Sequence, residues 1–297
     1  MSETNKLKLK WPDYWKLVKT SFIEFFREDN FMHGAALAYY AIFALIPIFY
    51  LALTSFGAVV GQDKMIVIIR DMMESNMGLS DISLFTELMY KFDFGKSNEN
   101  SIFLRIVGII VIVFTSTAMF NSMRKSMNSF LEINPRKKYP LILKNLFSRF
   151  ISFSILALFG LVIILIYFAQ TILLSMSSKL LSNHVFFEQI VFGILKNGSL
   201  ILTNFILFSF IFMFLHDGKV KWKMALGGSL FTSILLYLGH LLINYYLSNY
   251  FFAADSGLAG TLLVILAWIF YSSQIIFLGA KFTKVYARML DEPIKPR

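Results

Sequence analysis

Residues able to do chemistry are few in this chain of 297 amino acids, and they are scattered. There is no cysteine, which removes disulfides, thiolate metal sites and cysteine nucleophiles together. The four histidines, His33, His184, His216 and His240, share no HExxH-type spacing, so no metal site is expected. Neither a Walker A loop nor a glycine-rich dinucleotide fingerprint occurs, and no cofactor is implied. No acidic cluster faces the expected cytoplasmic side in a metal-binding arrangement, and no aromatics interleave a soluble basic surface. The expectation is therefore a protein that is not an enzyme and does not bind nucleic acid.

What the sequence does offer is polar side chains inside long apolar runs. The first run carries Tyr39 and Tyr40 ahead of Pro47, the second ends at Asn121, and later runs carry Gln170, Asn204, His240, Asn244, Tyr271 and Gln274. An unpartnered polar group buried in such a setting costs roughly 1 kcal/mol or more. Singly, each is most simply an interhelical hydrogen bond; together they suggest a polar-lined interior, and these ten residues are the candidate pathway. Pro47 removes one backbone hydrogen bond, which predicts a kink and a carbonyl available to line a cavity. No Asp or Glu falls inside a run, which argues against a proton-coupled carrier built on a buried carboxylate, although His240 could titrate.

The elements that would hold these groups follow from hydropathy. Hydrophobic residues make up 57% of the chain and charged residues 15%, with a mean hydropathy of +0.65. A soluble domain carries about 25% charged residues. Runs at residues 34–60, 102–120, 150–175, 190–215, 224–247 and 257–280 reach or approach the roughly 20 residues that a spanning helix needs. The fourth is interrupted by Lys196 and Asn197, so its helix should begin earlier and let Lys196 snorkel to the headgroups. The first 33 residues are charged throughout, so the first run is expected to remain as an anchor.

Placement of Lys and Arg sets the orientation. With the N-terminus inside, the cytoplasmic segments hold 21 of the 28: six in residues 1–33, seven in 121–149, three in 216–223 and five in 281–297. The external segments hold six, and Arg105 sits at an edge. The expected fold is all-α and polytopic, with six transmembrane helices and both ends cytoplasmic. Residues 1–33 form an interfacial helix, residues 61–101 a small external helical segment, and residues 281–297 a cytoplasmic tail. In the N-terminal helix, Tyr14, Val18, Phe22, Phe25 and Phe26 share one face, with Trp11 and Trp15 at headgroup level. Packing of that face on the bundle is the alternative. Arg136, Lys137 and Lys138 form a juxtamembrane cluster suited to anionic lipid headgroups, although positive-inside anchoring alone accounts for it.

Residues 25–47, FFREDNFMHGAALAYYAIFALIP, resemble the opening of the YihY/BrkB family, formerly labelled ribonuclease BN-like. Toward the C-terminus the resemblance is carried by Trp222, Gly227-Gly228, Tyr250, Gly257, Gly260, Trp268, Tyr271, Gln274, Leu278-Gly279-Ala280, Phe282 and Tyr286. The family usually places a glutamate after the final Gly-Ala, where this chain has Lys281; any role of that acid is in doubt here, and a lysine fits the positive-inside rule. The resemblance implies a multi-pass protein of the bacterial inner membrane, linked to serum resistance and to envelope or lipid export. A transporter or flippase of a lipid-like envelope substrate is the first expectation. A non-transporting scaffold for envelope biogenesis is the second. Membrane lipids are the expected partner, and a homo-oligomer or an envelope-assembly partner stays open.

Overall fold

A computed structural model of the chain describes residues 10–27, 31–51, 61, 64, 66–67, 70, 100–134, 185–250 and 253–296. These form α1 (Trp11–Arg27), α2 (Phe31–Leu51), α3 (Asn100–Phe130), α4 (Val185–Phe214), β1 (Gly218–Lys219), α5 (Trp222–Tyr250), α6 (Ala253–Met289) and β2 (Lys295–Pro296). The chain divides into two units. The first comprises Met1–Asn30, Met123–Tyr237 and Ile275–Arg297; the second comprises Phe31–Ser122 and Leu238–Gln274. Among the described residues, Trp222–Ile243 and Leu262–Met289 are long and apolar enough to cross a membrane, and Phe31–Phe43 and Leu200–Phe214 are shorter apolar helices. The third span and most of the external segment, 61–101, lie outside the described residues. Helix α4 starts at Val185 and runs unbroken through Lys196 and Asn197, the early start that its interrupted apolar run called for.

In the first unit, α1 begins with Lys10 at the cap, where the Asp13 carboxylate accepts the Lys10 backbone N–H at 2.7 Å. Pro12 sits in the first turn, where a missing N–H is harmless. Leu17, Ser21 and Phe25 are its buried face. Phe25 stacks on Phe130, and Phe130 stacks on Phe277, at centroid separations of 5.8 and 4.7 Å, joining α1, α3 and α6. A second aromatic column runs from Phe22, edge-on to Phe231, to the Phe231–Phe282 stack. Of the face that the sequence drew through Tyr14, Val18, Phe22, Phe25 and Phe26, Phe25 is buried and Phe22 meets Phe231, as the packed alternative has it, while Tyr14 and Phe26 are exposed. Ser21 shares the buried face because its hydroxyl donates back to the Leu17 carbonyl at 2.8 Å and so carries no unsatisfied donor into the core.

Helices α5 and α6 approach closely through a reciprocal pair of G-x-x-x-T segments, Gly228–Thr232 and Gly279–Thr283. A methyl group at Gly279 would overlap the Thr232 Oγ1, and one at Gly228 would overlap the Thr283 Oγ1. Each threonine hydroxyl donates to the glycine carbonyl four residues before it, at 2.8 and 2.9 Å, so neither hydroxyl is left unsatisfied. Without hydrophobic driving force between helices in lipid, contacts of this small-residue type supply the association.

Two of the helices end alike. At the end of α3, Glu132 has φ 52° and Ile133 N–H donates to the Asn128 carbonyl; at the end of α6, Asp291 has φ 55° and Glu292 N–H donates to the Ala287 carbonyl. Both are Schellman closures in which a non-glycine residue takes the left-handed position, at a cost of roughly 1–2 kcal/mol. After the second closure, β2 returns to pair antiparallel with β1, with Gly218 opposite Pro296 and Lys219 opposite Lys295. Lys221 and Glu292 close the same junction at 2.6 Å.

Candidate functional site

The first unit gathers polar and charged residues at the ends of α3, α4 and α6. Asp217, just past α4, accepts from the Arg124 guanidinium and from Asn128 Nδ2 at 2.7 Å, and its own N–H donates to Asn128 Oδ1 at 2.9 Å. Asn128 thus grips the turn through both ends of its amide. His216, buried beside it, donates from Nε2 to the Phe212 carbonyl at 2.8 Å and accepts the Gly218 N–H on Nδ1 at 3.0 Å. Those two partners require the neutral Nε2–H tautomer, so this histidine is a structural cap on α4. Glu132, on the left-handed closure of α3, pairs with both Lys281 and Lys284 of α6; the Lys281 Nζ lies 3.3 Å away. The Lys281 side chain is 1% exposed. Lys281 is therefore a buried ion-pair member inside the fold, and not a charge displayed at a rim.

The second unit holds a different arrangement. The Gln274 amide lies directly over Gly34 of α2, where any Cβ would overlap its nitrogen and come within 3.0 Å of its Cδ. Both polar atoms of that amide are buried without a hydrogen-bond partner, as is the Ser272 hydroxyl. The Tyr271 ring is seated over Gly239 of α5, whose Cβ would overlap the phenol. His240 follows, half-buried. On α2, Tyr39 is 60% exposed and packs on Phe43 at a ring separation of 4.9 Å, with Tyr40 edge-on at 5.8 Å. Asn121 is half-buried on α3.

Of the ten pathway candidates, Tyr39, Tyr40, Asn121, His240, Tyr271 and Gln274 belong to the second unit, whereas Asn204, half-buried on α4, belongs to the first. Helix α2 continues through Pro47 to Leu51. Asn244 lies on α5, and its side chain, like that of Pro47, is outside the description; Gln170 and the cluster Arg136, Lys137 and Lys138 lie outside the described residues altogether. The charged and amide groups of the first unit, Arg124, Asn128, Glu132 and Asp217, were not singled out from sequence. Their partners are 89 to 152 residues apart, a separation no local pattern encodes.

The profile described as Virulence factor BrkB matches residues 22–297. The chain belongs to this family. Among curated relatives it is similar to YfkH of Bacillus subtilis (strain 168), described as ribonuclease-like, with 22% identity over 89% of this chain and 92% of the relative. It is also similar to a UPF0761 membrane protein of Glaesserella parasuis serovar 5 (strain SH0165), with 24% identity over 64% of each chain. A UPF0761 membrane protein of Aggregatibacter aphrophilus (strain NJ8700) matches at 22% identity over 94% of this chain and 95% of the relative. No solved structure matches. The BrkB membership and the apolar helices together establish a helical protein of a membrane family.

Proposed function

We propose that this BrkB-family chain is a multi-pass protein of the bacterial plasma membrane that moves a lipid-like cell-envelope substrate across the bilayer, as a transporter or flippase. It acts without turning over a covalent bond. The observation that carries this proposal is the Gln274 amide, buried between α2 and α6 of the second unit with neither polar atom hydrogen-bonded. A buried amide without partners costs free energy that a purely structural residue has no reason to carry, and a passing polar headgroup would supply the missing bonds. The Tyr39 and Tyr40 hydroxyls on α2 and the Tyr271 phenol belong to the same unit and extend the set of neutral polar groups. With no nucleotide-binding motif in the sequence, passive scrambling or coupling to an ion gradient is the energetic route.

The test is transbilayer movement of a fluorescent phospholipid in proteoliposomes. The parent chain should exchange lipid between leaflets faster than empty vesicles, and Gln274→Leu should slow that exchange while the protein stays folded in the same vesicles. A scaffold that organises envelope biogenesis without transport leaves both proteins at the rate of empty vesicles.

A further inference from the structure

We infer that the outer face of α1, opposite the face that packs on the protein, docks onto an anionic bilayer surface. The inner face is already used: Leu17, Ser21 and Phe25 are buried, and Phe22 meets Phe231. What remains outward is not a solvated polar face. Trp11 is 89% exposed, Trp15 73% and Phe26 61%, and Ile23 is exposed with them. At 100° per residue Trp15, Lys19, Ile23 and Phe26 fall within about 80° of the helix circumference, and Trp11 lies about 40° beyond them at the N-terminal end. Lys16 and Arg27, also exposed, flank them.

Charge decides the occupant. The helix has only two acids, Asp13 and Glu24. Asp13 is engaged by the Lys10 backbone N–H, and Glu24 by the Arg288 guanidinium of α6. Both acids therefore already have partners within the protein, and the outward face presents Lys16, Lys19 and Arg27 among exposed tryptophans. Indole rings favour the headgroup level, lysine stems reach past them, and cations seek anionic headgroups. A helix of 17 residues is roughly 25 Å long, too short to span once capped and packed, and suited to lying along a surface. This docking does not depend on the transport proposal.

The chain lacks cysteine, so a single Ile23→Cys in the full protein can carry a nitroxide label directly. The protein is reconstituted in bilayers of phosphatidylcholine alone and of phosphatidylcholine with phosphatidylglycerol. Collision with oxygen and with a water-soluble nickel chelate is then measured. Docking predicts a label open to oxygen and shielded from nickel in the bilayer with phosphatidylglycerol. The shielding should fall several-fold in high salt or without phosphatidylglycerol. The combined variant Lys16→Gln, Lys19→Gln and Arg27→Gln should lose it likewise; the salt and lipid arms stand if that variant misfolds. Nickel access in every bilayer overturns the inference, as does shielding equal with and without phosphatidylglycerol. Dipolar broadening between labels also overturns it, since a second copy of the chain would then cover the face.

Discussion

Replacing Gly279 by alanine tests whether the α5–α6 contact is as close as the structure has it. An added methyl would overlap the Thr232 Oγ1 and lie 2.9 Å from the Phe212 Cζ and 3.1 Å from the Thr232 Cβ. Thr232 has little freedom to give way, because its hydroxyl is bonded to the Gly228 carbonyl at 2.8 Å. Overpacking of this kind costs roughly 1–3 kcal/mol, while alanine in a helix gains up to about 1 kcal/mol over glycine. The net expectation is a loss of about 1–2 kcal/mol. Gly198 on α4 is the control: nothing lies near a Cβ built there, so Gly198→Ala should be neutral or stabilising by up to about 1 kcal/mol. Adding Thr232→Ala to Gly279→Ala removes the overlapped hydroxyl and should recover part of the loss. Unfolding free energies from dodecyl sulfate titration in mixed micelles measure all four proteins. Parent-like stability of Gly279→Ala, or a double variant no more stable than Gly279→Ala, would refute the interlock.

Other expectations follow from the helix ends. Asp291→Gly relieves a left-handed non-glycine residue and should stabilise the chain by about 1 kcal/mol in the same titration. Asp217→Ala removes the acceptor shared by Arg124 and Asn128 and should cost about 1–2 kcal/mol. His216→Ala strands the Phe212 carbonyl and the Gly218 N–H and should cost roughly 2 kcal/mol, with faster proteolysis beyond Phe214 as the second readout.

The membrane class and the family were legible from run lengths and from the residues at both ends of the chain, and the profile match over residues 22–297 bears the family out. The long reach of α4 was legible too, because a lysine can snorkel and need not end a helix. Lys281 was not legible as a buried ion-pair member, since Glu132 is 149 residues away and reaches it from a left-handed turn. The G-x-x-x-T spacings at Gly228 and Gly279 were present in the sequence, yet spacing alone does not say which helices meet. The buried face of α1 includes Ser21, a polar residue that satisfies itself on the Leu17 carbonyl and so enters a core that a hydropathy pattern denies it. Among the pathway candidates, sequence singled out Gln274 and Tyr271 as polar groups within an apolar run, but their seats on Gly34 and Gly239 required the fold.

The most direct test of the account is lipid exchange by the parent chain and by Gln274→Leu, reconstituted side by side at equal protein content. The account predicts exchange above empty vesicles for the parent and a marked slowing for Gln274→Leu, with both proteins equally folded. Exchange by the two proteins at the same rate, or none by the parent, contradicts it.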